Sequence, residues 1–145
     1  MTIPEITALY LRNTKRLTDE INLYPNEEKL WEVKGEIINP GGNLCLHLVG
    51  GLNHFIGATL GKTGYVRNRD AEFKTKNIPK KELLQMIMEA SETASKTLSL
   101  MNENELQKEF PFDFAGKHTT EYYLVFFIAH FDYHLGQLNY HRRMV

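Results

Sequence analysis

The sequence predicts an all-α protein, a four-helix bundle, and three observations predict it. Apolar residues recur at the 3.6-residue period of an amphipathic helix along four long stretches. Clusters of Pro, Gly and Asn punctuate the chain between them. No segment keeps up the period-two alternation of a half-buried strand. Four helices of this length bury their apolar stripes against one another. The 145 residues suit a single domain, residues 1–145, large enough to hold a core without disulfide staples.

The first helix is expected from Ile3 to Leu23. Thr2 and Glu5 have capping-box spacing, and Pro4 stands in the first turn, where its missing N–H loses no bond. Leu9, Leu17 and Ile21 form the apolar stripe, and Pro25 ends it. Residues 25–42 read as a connection, partly extended, that packs through Trp31, Val33, Ile37 and Ile38 and closes at Pro40-Gly41-Gly42. The second helix is expected to start at Asn43, acting as its N-cap, and to end at Leu60. Gly61 and Gly64 then offer left-handed stop positions. Inside this helix Gly50, Gly51 and Gly57 each cost about 1 kcal/mol relative to Ala, which points to close helix approach or to space for a ligand.

Residues 65–77 are polar and charged and read as a loop; Arg67, Arg69, Asp70 and Glu72 could border a pocket mouth, but a solvated, salt-bridged cluster is the first reading. The third helix starts near Ile78-Pro79 and runs to Met101. Leu83, Leu84, Ile87, Ala90, Ala94, Leu98 and Met101 give it one apolar face. Residues 102–118 form a second connection, with Phe110-Pro111-Phe112 and Phe114 tucked against the bundle. Thr119 or Thr120 caps the fourth helix, Glu121 sits in its first turn, and Arg142 and Arg143 suit its C-terminal end.

Composition narrows the function. The formal charge is −1 and no basic run exceeds a pair, which argues against a nucleic-acid partner. A single cysteine, Cys45, permits no intrachain disulfide and fits a reducing compartment. The N-terminus lacks the charged and apolar regions of a secretory signal. The longest apolar stretch, Tyr122 to Phe131, is too short to span a bilayer. A cytoplasmic protein with no membrane partner is therefore expected. There is no Gly-rich phosphate loop, dinucleotide fingerprint or recognisable Ser or Cys nucleophile, so any chemistry runs through a metal.

The metal is suggested by the histidines. His130 and His134 stand four residues apart, on one face of the fourth helix, a spacing at which two imidazoles bind one ion. Gln137 shares that face, placed to orient a ligand or a bound water. A third ligand must come from a facing helix. The second helix offers His47 and His54, seven residues apart and so on one face; only one of them can be level with the pair, since seven residues rise about 10 Å. Spacing does not choose between them. Cys45 points about 200° away from His47, and Asp132 likewise from His130, so Cys45 reads as buried filler and Asp132 as solvated. His118 reads as loop and His141 as surface.

The run His130-Phe-Asp-Tyr-His134-Leu-Gly136-Gln137 resembles the His-x-x-x-His-x-Gly-Gln signature of the DinB-like superfamily, metal-binding four-helix proteins related to bacillithiol and mycothiol S-transferases. Asn43-Leu-Cys-Leu-His47-Leu-Val-Gly50 resembles that family's second-helix segment, which carries the first metal-binding histidine. The resemblance covers essentially the whole chain. It implies His47, His130 and His134 as the ligands, an up-down-down-up bundle whose second and third helices are parallel and joined by a crossover, and a homodimer. It leaves His54 as a packed or partly exposed histidine that at most lines the pocket. One position departs: Leu135 stands where many relatives carry Arg, which removes an anion-binding cation beside the metal.

The implied function is a metal-dependent thiol S-transferase-type reaction. Three neutral histidines leave coordination positions open on a divalent ion, zinc or nickel, which can hold a low-molecular-weight thiol as thiolate for attack on an electrophile. Metal-assisted hydrolysis ranks below it, because spacing places no carboxylate as a base. The alternative is a non-catalytic bundle that binds a metal or a small ligand.

Overall fold

The computed structural model describes residues 1–112 and 115–145; Phe114 lies outside them. Helix α1 spans Ile3–Leu23. Its capping box forms as expected: the Thr2 hydroxyl accepts from Glu5 N–H and the Glu5 carboxylate accepts from Thr2 N–H. Ile6, Tyr10, Leu17 and Ile21 on one face are buried.

The following connection contains a short helix, α2 (Glu27–Trp31), capped by Asn26. It packs through Leu30 and Trp31, while Val33 and Ile38, expected against the bundle, are exposed. Helix α3 spans Gly41–Gly51 and begins before Asn43, with Pro40 at the cap. Asn43 is therefore no cap. It is buried, and its amide donates to the carbonyls of Glu72 and Thr75, both at 2.8 Å. The two glycines that read as a breaker belong to the first turn because larger residues do not fit: a Cβ at Gly41 would lie 2.2 Å from the Tyr24 hydroxyl, and one at Gly42 2.5 Å from the Trp31 ring.

After Gly51 the helix widens. Residues Leu52–Ala58 form π turns, which end with Thr59 N–H donating to His54 C=O at 3.0 Å and Gly61 N–H to Ile56 C=O at 2.9 Å. The left-handed stop falls on Lys62 (φ 54°) and Gly64 (φ 80°), not on Gly61. Gly61 instead lets Thr97 approach; a Cβ there would meet its hydroxyl at 2.4 Å. The polar segment holds a further short helix, α4 (Arg69–Lys74), capped by the Asn68 side chain. Helix α5 spans Lys80–Ser99 and buries Leu83, Ile87, Ala90, Ala94 and Leu98 as expected. A 3-10 turn (Glu103–Gln107) leads to Phe110, which is buried, and Phe112, which is exposed. Helix α6 spans Thr120–Met144, and the Thr119 hydroxyl accepts from Tyr122 N–H to cap it.

Six α-helices and no strand occur among the described residues, so the protein is an all-α bundle. The contacts between the long helices fix their senses pairwise. Tyr10 donates to Leu124 C=O at 2.7 Å and Tyr24 to His141 Nδ1 at 2.6 Å, so α1 and α6 ascend together. Thr14 meets Ser91 at 2.9 Å, and Lys80 donates to Tyr24 C=O at 2.8 Å, so α5 descends along α1. His47 lies beside His130 and Phe55 stacks on Phe127, so the α3 rod runs opposite to α6. His141, expected at the surface, is buried. Its Nε2–H donates to Glu32 C=O at 2.8 Å, tying the first connection to the end of α6. No helix among the described residues is long and apolar enough to cross a membrane.

Candidate metal centre

Helix α3 presents His47 from its inner face, and α6 presents His130 and His134 from successive turns. The His130 and His134 Nε2 atoms lie 3.0 Å apart, and the His47 and His130 Nε2 atoms 3.4 Å apart. One ligand atom from each of the three residues falls within 4.8 Å of the other two. With metal–nitrogen bonds of about 2.0–2.1 Å, the two nitrogen spacings correspond to ligand–metal–ligand angles of roughly 95–110°. Both angles are those of neighbouring positions on a tetrahedral or octahedral ion.

Hydrogen bonds on the far side of two rings turn the donors inward. A carboxylate oxygen and an amide oxygen only accept, so the ring nitrogen facing each must carry the proton. His47 Nδ1–H donates to Glu72 Oε1 at 2.9 Å, and His134 Nδ1–H to Gln137 Oε1 at 2.6 Å. With Nδ1 so engaged, the neutral form of each ring leaves Nε2 as the free donor, aimed at the shared point, as ligation requires. Loss of water around its ring, then the His134 and His47 rings and the Arg67 and Arg69 charges, hold His130 down at about 4. Burial also lowers His134, against the opposing bond from Gln137. All of this favours neutral imidazole at neutral pH.

Glu72 was expected in a solvated cluster, and that expectation is corrected: its side chain is 7% exposed and sits inside the site. Three features deliver it. Asn43 grips the carbonyls of Glu72 and Thr75 and so fixes α4 against α3. Gly50 leaves the space, since a Cβ there would lie 2.0 Å from Glu72 Oε2. Arg67 forks onto both carboxylate oxygens, each bond 2.8 Å. Burial raises the Glu72 pKa, but the bonds to His47 and Arg67 and the Arg67 charge outweigh it and hold the carboxyl below its usual range. Asp70 remains outside, in an exposed pair with Lys74 at 3.2 Å. The signals for Glu72 in the sequence were the glycine one turn beyond His47 and an asparagine that had looked like a cap.

A cavity of about 490 Å³ opens beside the three imidazoles. Leu52, Phe55, Phe126, Phe127 and Phe131 line its apolar side, with Phe55 stacked on Phe127 at 4.2 Å. Gln137, Arg67 and Arg69 line its polar side. The guanidinium of Arg67 lies 5.5 Å from the Phe55 ring centre and that of Arg69 5.2 Å from the Phe73 ring centre. Leu135 is buried, and the cations lining the cavity are Arg67 and Arg69.

His54 does not line this cavity; its ring packs on Phe55 and Phe112. The seven-residue spacing keeps two side chains on one face only while turns hold 3.6 residues, and π turns begin between His47 and His54. Cys45 is buried away from the site, its thiol pushed up to about 12 by burial. Asp132 pairs with Arg12 at 2.8 Å on the outer side of α6. His118 is in the loop before α6, stacked on Tyr122.

A family model described as a protein of unknown function, DUF1572, matches residues 5–145. No curated protein matches the chain.

Proposed function

The chain belongs to the DUF1572 family of proteins of unknown function, and from that premise we propose a DinB-like metalloprotein whose His47, His130 and His134 hold one divalent ion, zinc or nickel. The convergence of three imidazoles carries this reading. Two of them have Nδ1 engaged so that Nε2 faces the shared point, and the Nε2 spacings from His130 to its two neighbours match a single ion. When bound, such an ion supplies a Lewis acid that lowers the pKa of a coordinated thiol.

The reaction that best suits the site is transfer of a low-molecular-weight thiol to an electrophile. The protein's own residues have separable parts in it. Glu72 and Gln137 orient His47 and His134, and Arg67 locks Glu72 in place. The Phe55–Phe127 wall excludes water from one side of the imidazoles. Among the described residues the cavity lining contains no Asp or Glu, and both oxygens of Glu72 are engaged by His47 and Arg67, leaving no free carboxylate as a hydrolytic base. That favours thiol transfer over activation of water.

The pairwise helix senses support the DinB-like chain order, with the second and third long helices parallel. A homodimer is supported by the exposed apolar side chains of α6, Tyr122, Val125 and Tyr140.

Metal analysis of untagged protein tests the site: about one equivalent per chain is expected, lost in His130→Ala, and a metal-free protein indifferent to that change removes the proposal. An electrophilic dye assayed against a panel of small thiols tests the reaction. Metal-dependent turnover is expected, and full metal loading without turnover makes the protein a non-catalytic binder.

A further inference from the structure

We propose that the cavity takes an amphipathic anion, a ligand with one aromatic or bulky aliphatic body and one carboxylate-like head, and that Arg69 is the residue that selects the charge. The proposal deepens the reading of this cavity as the ligand site.

The charge balance of the lining points to the anion. Arg67 is neutralised within the site by its forked bond to Glu72. Arg69 lines the same cavity and, among the described residues, has neither an ion pair nor a hydrogen bond to any acid; its partner there is the Phe73 ring, four residues on along α4. Stacking on that ring restrains the guanidinium without using its N–H donors. Phe73 in turn touches the His47 ring, centre to centre at 5.0 Å, so the donors are held one ring away from the imidazole cluster. A cationic ligand would meet Arg69, while the acids of the same helix are already engaged, Asp70 by Lys74 and Glu72 by Arg67 and His47. A wholly apolar ligand would strip water from the guanidinium and return no hydrogen bond. An anionic head satisfies it, in the planar fork that arginine offers a carboxylate.

The opposite wall sets the body. Phe55 and Phe127 stack face to face, and Phe126 and Phe131 continue the surface beside them. A cavity of about 490 Å³ is of the size that binds small organic molecules. A small inorganic anion would leave this wall wet and uncovered, whereas an aryl body covers it.

Four probes separate the contributions: 1-naphthylacetate, its neutral amide, 1-naphthylmethylammonium and acetate, titrated calorimetrically into metal-loaded and chelator-stripped protein. Naphthylacetate is expected to bind at least about tenfold more tightly than the amide or acetate, with the ammonium weakest. Arg69→Gln, an exposed change checked by circular dichroism, is expected to remove most of the acid-over-amide preference and leave the amide affinity unchanged. Equal affinity for acid and amide overturns the proposal. So does a full acid preference in Arg69→Gln, which would place the head on the metal alone. The comparison in stripped protein reads the Arg69 contribution without metal, so a failure of the metal reading remains distinct from a failure of this one.

Discussion

At the scale of single residues, the clustered histidines depend on groups far away in the chain. His47 takes its tautomer from Glu72, twenty-five residues later, and Glu72 takes its own position from Arg67. Glu72→Gln removes the charge and half of the Arg67 fork while preserving shape. Metal affinity is expected to fall by about 10–100-fold with unchanged helicity. A competition titration with a chromophoric chelator measures this, and unchanged affinity would show that the carboxylate does not orient His47. A pH effect follows from His130. In the metal-free fold its pKa is depressed to about 4 from 6.5, so between those values the unfolded chain binds a proton that the folded chain does not. Stability should therefore drop as pH falls from about 6.5 to 4, and His130→Ala should flatten that slope; urea midpoints at pH 7 and 5 read the difference. A midpoint independent of pH in both proteins contradicts it. The His130/His134 pair was legible in the sequence because four residues on a helix is a local relation. Glu72 was not, because the polar pattern of residues 65–77 is the same whether a carboxylate meets solvent or a buried imidazole.

At the scale of elements, α3 and the π segment after it decide which side chains reach the site. The glycines that looked costly have different reasons. Gly50 admits the Glu72 carboxylate, Gly57 lies against Thr93 with a Cβ position 3.1 Å from its methyl, and Gly51 borders the cavity with nothing within 4 Å. Helix propensity alone predicts that Ala stabilises both Gly50 and Gly51 by up to about 1 kcal/mol. Sterics separate them. Gly51→Ala should show that gain in urea unfolding, while Gly50→Ala should show none and should weaken metal binding as Glu72→Gln does. Equal behaviour of the two variants would show that Glu72 does not need the space. The start of α3 was misread for a related reason: Pro40-Gly41-Gly42 is a breaker by local chemistry, and only the packing of Tyr24 and Trp31 makes it a first turn. The fate of His54 was equally hidden, since a helical wheel assumes regular turns and the π segment breaks that regularity.

At the scale of the whole molecule, the all-α architecture and the long helices were legible because apolar stripes run through α1 and α5 and hydroxyl caps mark the starts of α1 and α6. The short helices α2 and α4 were not, being too brief to show a period. The homodimer proposed on the exposed side chains of α6 has its own test. Light scattering should give a mass near twice 16.8 kDa, falling toward the single-chain value in Tyr140→Glu; a monomeric wild type contradicts the dimer. The proposed centre rests on three imidazoles from two helices sharing one ion. The most direct measurement is metal stoichiometry of untagged His47→Ala beside His54→Ala. The structure predicts that His47→Ala loses the ion and His54→Ala keeps about one per chain, and retention by His47→Ala, or equal loss in both, would contradict it.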